Sequence, residues 1–140
     1  MTEYMEKYML DTNSWIEYFK NRNGVAEHVD ALPRTQLCAC EITVAELIYG
    51  AYNSKNFEKH YREAMWLKNN IEIYPISDSL DDYGEIRYVT KKKGCPISQF
   101  DLLIGATARH YGLIVVTDNL KDFSPMPGVK TENWVQRPSE

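Results

Sequence analysis

Apolar positions follow two periods along this chain. Short apolar runs at residues 7–10, 35–40, 71–76 and 113–119 have the length and composition of β-strands. Between them lie longer stretches whose apolar residues recur every three or four positions, which predicts helices over 13–21, 24–32, 42–53, 55–70, 77–94 and 98–112. Val44, Leu47, Ile48 and Ala51 share one helical face, as do Phe57, Tyr61 and Met65, and then Phe100, Leu103, Ile104 and Tyr111. Pro33, Gly94 and Gly112 stand where helices should stop. The run "GLIVV" is continuously apolar, as in a strand covered on both faces, and residues 129–134 add a last short strand. Strands alternating with helices predict an α/β fold, with a central parallel sheet of about four to five strands and helices on both faces. The 140 residues contain no repeat, low-complexity tract or linker-like stretch, so a single domain spanning 1–140 is expected.

Composition narrows the class. Hydrophobic residues make up 44% and aromatics 12%, enough for a packed core. The first ten residues, "MTEYMEKYML", lack a basic start and a long apolar core, so no signal peptide is expected. No apolar run is long enough to span a membrane, and the expected location is the cytoplasm. Cys38 and Cys40 project from one face of a strand, and three cysteines form no paired framework. His28, His60 and His110 are scattered and complete no zinc set, so reduced thiols are expected. Net charge is −4, which argues against a broad basic face for nucleic acid. Two local basic patches stand out, Lys91–Lys93 and the set Lys55, Lys59, Arg62 and Lys68, and each reads as a solvated helix face.

The charge that changes the picture is acidic. Open parallel sheets bind ligands at the carboxyl ends of their strands, where the next helices begin. Asp11 closes the first strand, Glu46 falls in the first turn of the helix after "LCAC", Asp101 in the first turn of the helix after "GCPIS", and Asp118 closes "LIVVT". Each also fits a purely structural role. Ser14 with Glu17, Thr43 with Glu46 and Ser98 with Asp101 have capping-box spacing, and Asp11 and Asp118 could brace turns. Four separate caps need not converge, however, and four carboxylates in one crevice need a cation. All-oxygen donors favour Mg²⁺, with Mn²⁺ as a substitute, over zinc. Such an ion suits phosphodiester hydrolysis, because it polarises a phosphoryl oxygen and lowers the pKa of an attacking water.

The segments "YMLDTNSWI", "ITVAELIYGA", "FDLLIGATARHYGLIVVTDNLKDF" and "VKTENW" together resemble a PIN-domain endoribonuclease, in particular a VapC-type toxin, over residues 8–134. The resemblance implies a single PIN-like domain whose acidic pocket is Asp11, Glu46, Asp101 and Asp118, with Asp11 and Asp101 on the metal and Asp118 close by. It further implies supporting roles for Asn13, Thr117 and Asn119, a homodimer, a small VapB-type antitoxin as partner, and RNA products with a 5′ phosphate and a 3′ hydroxyl. Gly105 departs from the family, which mostly carries Ala there; one turn after Asp101, it is expected to keep room near the pocket.

Three other readings stay open at this level. One is a PIN nuclease of RNA processing or decay without a toxin role. Another is a catalytically weak PIN module that binds RNA or a protein. A phosphatase of the haloacid dehalogenase type also puts an Asp after its first strand, but it resembles D-x-D there, and this chain has Asn13 in the second place. Trp15, Tyr18 and Trp66 read as core residues, with base stacking as the alternative.

Overall fold

The computed structural model describes residues 5–137, so residues 1–4 of the amino-terminal stretch considered above lie outside it. Five strands, β1 (Tyr8–Leu10), β2 (Leu37–Cys40), β3 (Glu72–Tyr74), β4 (Ile114–Val116) and β5 (Lys130–Glu132), form one sheet in the order β3-β2-β1-β4-β5. Every neighbouring pair is parallel. The helices are α1 (Thr12–Phe19), α2 (Val25–Asp30), α3 (Glu41–Tyr52), α4 (Phe57–Asn70), α5 (Leu80–Lys92), α6 (Gln99–Tyr111) and α7 (Leu120–Phe123). None of the described helices is long and apolar enough to cross a membrane.

Strand alternation divides the core in two. Leu10, Ala39 and Val116 face one layer and pack with Trp15, Val29, Leu47 and Leu67 from α1 to α4. Their chain neighbours Met9, Cys38, Cys40 and Val115 face the other way, onto Ile86, Leu102, Ile104 and Phe123 from α5 to α7. Side chains two apart therefore share a face, as the pleat requires, and helices cover both faces. Cys38 and Cys40 are free thiols in the second layer, and burial pushes both upward in pKa.

The chain begins in the middle of the sheet. It builds outward through β2 and β3, then returns past β1 to lay down β4 and β5. Connections leaving β1 and β4 therefore diverge, and a crevice opens beyond their carboxyl ends.

Several boundaries differ from expectation, for physical reasons. β3 stops before Pro75, which has no N–H for the ladder. Residues 77–79 form a separate 3-10 turn before α5. Asp11, not Ser14, caps α1, so the helix starts at Thr12. α3 starts at Glu41 with Cys40 before it, which moves Glu46 from the first turn to the second and leaves Thr43 buried rather than capping. Ser98 does cap α6, its hydroxyl accepting from the Phe100 N–H at 3.2 Å.

Candidate active site

Asp11 leaves the end of β1 directly into the crevice. Its backbone N–H still extends the sheet, donating to the Val116 carbonyl at 3.0 Å. Its side chain is only 3% exposed. Oδ1 accepts from the Ser14 N–H at 2.9 Å, and Oδ2 accepts from the Thr117 hydroxyl at 2.6 Å. Ser14 in turn donates its hydroxyl to the Val116 carbonyl at 3.1 Å. The carboxylate is thus a helix cap and a cross-strand tie at once. Burial pushes its pKa up, and the bonds from Thr117 and Ser14 oppose that. Each oxygen keeps a further lone pair for another ligand.

Glu46 reaches the same crevice from α3. Its Oε1 accepts from the Thr12 hydroxyl at 2.6 Å, and that hydroxyl lies 3.1 Å from the Thr43 hydroxyl. The sequence reading gave Thr12 and Thr43 no part in the site. Thr12 directly follows Asp11 and points toward α3, a placement that no spacing rule could foresee.

Asp101 lies in the first turn of α6, and its carboxyl, like that of Asp11, is pushed up. Its pKa is raised to about 6, first by burial and then by the negative charges of Asp11, Asp122 and Glu46. The Asn119 side chain, hydrogen bonding toward Asp101, opposes the shift, and its amide also donates to Asp122 at 2.9 Å. Asp122 was absent from the expected set. It lies on α7, four residues after Asp118, and only the packing of that short helix against α6 brings it to Asp101.

Asp118 is placed differently. Its carboxylate accepts from Asn133 Nδ2 at 3.1 Å and pairs with both terminal nitrogens of Arg137. The guanidinium holds its pKa below the usual carboxylate range, with Asn133 helping. A cavity of about 320 Å³ joins the two halves, lined by Asp11, Asn13, Asp118, Asn119 and Arg137 among others. Thr117, fully buried, bridges them as well: it donates to Asp11 and accepts from the Asn119 N–H at 2.9 Å. Asp11, Asp122 and Glu46 thus all act on Asp101, while Asp118 acts on Asp11 from the rim, where it stands beside the Arg137 cation. Asn13 is exposed at the mouth.

Among the described residues, no three His, Cys, Asp or Glu side chains stand ready as a metal cage. The chemistry of the donors nonetheless fits a hard cation. All are carboxylate oxygens, and Asp101 is partly buried among like charges with no positive side chain among the causes of its shift.

Two side expectations resolve clearly. Trp15 is fully buried and packs in the core, whereas Tyr18 and Trp66, their ring centres 5.9 Å apart, pack on the first core layer and also line a surface cavity with Lys59 and Arg62. Gly105 does not spare room for the pocket. A Cβ there would lie 2.4 Å from the sulfur of Met126, so the space belongs to the second core layer.

Known proteins share this sequence pattern and fold. Residues 8–127 match the PIN domain family. The chain is 34% identical over 131 residues to the tRNA(fMet)-specific endonuclease VapC of Salmonella typhimurium, covering 93% of this chain and 99% of that one. It is 36% identical over 132 residues to ribonuclease VapC1 of Haemophilus influenzae, covering 92% and 98%. Among solved structures, it superposes on a chain of the DNA-bound VapBC complex from Salmonella typhimurium with a TM-score of 0.84 at 33% identity, covering 93% and 99%. With VapBC2 from Rickettsia felis, also bound to DNA, the TM-score is 0.82 at 30% identity, covering 91% and 98%. Full-length agreement in both sequence and fold leaves one conclusion: the chain belongs to the PIN-domain family, among its VapC-type endoribonucleases.

Proposed function

We propose that this endoribonuclease cuts RNA with Mg²⁺ held by Asp11 and Asp101, with Asp118 joining them and Glu46 beside them, and that it is the toxin of a toxin–antitoxin pair. The observation that carries the reading is Asp101, whose carboxyl is raised to about 6 among Asp11, Asp122 and Glu46. Such a group gains most from a cation. When bound, the ion polarises a phosphoryl oxygen and lowers the pKa of the attacking water.

The chain's own residues do the rest. Thr117 and the Ser14 N–H fix the Asp11 carboxylate in one rotamer. Thr12 holds one oxygen of Glu46 and leaves the other to accept a proton from the incoming water. Asn119 orients Asp122, and Asn13 lies at the mouth, where a sugar or phosphate oxygen would arrive. Water adds to phosphorus as the 3′ oxygen leaves and takes up a proton, giving a 5′ phosphate and a 3′ hydroxyl.

The chain acts in the cytoplasm as one nuclease domain and as a homodimer. A VapB-type antitoxin holds it in check, and the VapBC complexes it superposes on support that partner. A transfer RNA is the first substrate to offer, because a relative is named for one. Purified protein is incubated with total RNA and with tRNA in Mg²⁺, Mn²⁺ or excess EDTA, and the new ends are mapped. Internal cuts with 5′ phosphates that vanish in EDTA and in Asp101→Asn support the reading. Undiminished cleavage in EDTA rejects it. Growth arrest on expression, relieved by a neighbouring antitoxin gene, separates a toxin from a housekeeping nuclease.

A further inference from the structure

We propose that the groove between the carboxyl end of α5 and the first turn of α6 holds a backbone phosphate of the RNA strand, next to the phosphate being cut. The inference rests on the RNA-cleavage reading above and concerns residues outside the acidic pocket.

The fold brings the basic run back to the active edge. Arg109, near the end of α6, pairs through Nε with Asp82 at 2.9 Å and through Nη1 with Glu85 at 2.6 Å, and His110 reaches Asp82 at 3.0 Å. The end of α6 thus lies beside the start of α5, so the two helices run antiparallel. The end of α5 is therefore placed beside the first turn of α6, which carries Asp101. A cavity of about 410 Å³ lies in that angle, lined by Arg87, Thr90, Lys91, Cys95, Gln99 and Leu102 among others. Gln99 and Leu102 flank Asp101 within one turn of helix. On the other side, Lys93 donates through Nζ to the Pro125 carbonyl at 3.1 Å, two residues beyond the end of α7 and three beyond Asp122. The run thus borders both elements that bring Asp101 and Asp122 to the crevice.

Its charge is unspent. Among the described residues, Lys7, Arg22, Arg109 and Arg137 meet carboxylates, whereas Arg87, Lys91, Lys92 and Lys93 meet none. Arg87 donates to the Tyr83 hydroxyl at 2.7 Å and lies 5.9 Å from that ring's centre, which steadies the guanidinium without neutralising it. Four cations in seven residues are a marked concentration for a chain of net charge −4. An acidic pocket repels the polyanion it must cut, and cations beside it offset that repulsion and set the strand's register. Cations at a helix end also favour the helix dipole, and that role alone would stabilise α5 without touching RNA.

The test compares the full chain with the double variant Arg87→Gln, Lys91→Gln and with a control of equal charge, Lys68→Gln, Lys130→Gln. Lys68 lies in the last turn of α4, just ahead of β3, and Lys130 opens β5, both toward the amino ends of strands rather than the carboxyl ends that form the acidic crevice. Binding of a fluorescent single-stranded RNA is titrated in EDTA at several salt concentrations, cleavage is measured in Mg²⁺, and melting is followed for all three. In the groove variant, Kd and KM should rise roughly ten-fold at low salt, with a smaller change in kcat. Its slope of log affinity against log salt should shrink by about 0.7, the value for one lost phosphate contact on a single strand. The control should stay within two-fold, with an unchanged slope. Wild-type Kd and slope in the groove variant would overturn the phosphate site, as would an equal loss in the control or a fall in melting temperature alone. A wild type that binds RNA with the predicted difference but never cuts it would reject the nuclease reading and leave the groove as an RNA contact.

Discussion

Thr117 donates its hydroxyl to Oδ2 of Asp11 at 2.6 Å, joining residues 106 positions apart across the β1–β4 junction. Both are buried, so the bond decides which way the carboxylate faces. Thr117→Val keeps the shape and removes the donor. Leaving Asp11 short of a partner should cost about 1–3 kcal/mol of stability. Cation affinity and turnover should fall by roughly 10–100-fold, as for other groups that orient a ligand. Calorimetric Mg²⁺ titration and cleavage rates check this, and wild-type values for both would deny Thr117 any positioning role.

Asp101 sets a pH dependence whose sign is fixed by its raised pKa. Unfolded, it titrates at about 4; folded and metal-free, at about 6. Between those values the fold binds the proton more tightly than the unfolded chain, so this group's stabilisation is present at low pH and is lost as pH rises from about 4 to about 6. In EDTA, Asp101→Asn should flatten that part of the pH–stability curve and melt higher than wild type at neutral pH. Mg²⁺ should narrow or reverse the order, because the wild type gains binding free energy that the variant largely lacks. A variant that melts lower in EDTA, with equal gain from Mg²⁺ in both, would falsify the shared site and leave Asp101 as a first-turn acid that stabilises α6, which Ser98 caps.

Arg137 competes for Asp118. Its guanidinium pairs with the carboxylate and lowers that acid's pKa, so Arg137→Ala returns a full negative charge to the rim. Mg²⁺ or Mn²⁺ should then bind several-fold more tightly, as read by calorimetry or by quenching of Mn²⁺ paramagnetic resonance. Unchanged affinity would remove Asp118 from the cation site.

Expressing the wild type should slow the growth of a host cell, and Asp11→Asn or Glu46→Gln should restore it. Each change deletes one charge and nearly preserves shape. Glu46→Gln keeps an oxygen able to accept from Thr12, whose hydroxyl donates to Oε1 at 2.6 Å, so the test isolates the lost charge. A variant as toxic as the wild type at equal expression argues against that residue's role.

Gly105→Ala tests packing apart from chemistry. The added methyl would meet Met126 Sδ at 2.4 Å, and overpacking of this kind costs about 1–3 kcal/mol. Helix propensity returns about 1 kcal/mol, so a net loss of about 1 kcal/mol is expected, with cleavage little changed. Combined with Met126→Ala, the two losses should sum to less than their separate values in denaturant melts.

The sequence by itself determined the elements and which acids stand near helix starts. Apolar period separates strand from helix because backbone geometry alone sets repeats of two and 3.6, and Asp11, Asp101 and Asp118 follow from where those elements end. The same local logic misplaced the cap of α1 and the turn holding Glu46, because Ser14 and Thr43 have cap-forming side chains but are buried against other elements. Tertiary structure decided the partners. Spacing gives no reason for Thr12 to bind Glu46, for Asp122 to act on Asp101, or for Arg137 to take Asp118. Nor does it say that Lys91–Lys93, far from Asp11 in sequence, return to the acidic edge. Those contacts depend on strand order and on the antiparallel packing of α5 on α6. Both are fixed by burial of apolar faces between distant segments, which gains free energy only once the chain has closed.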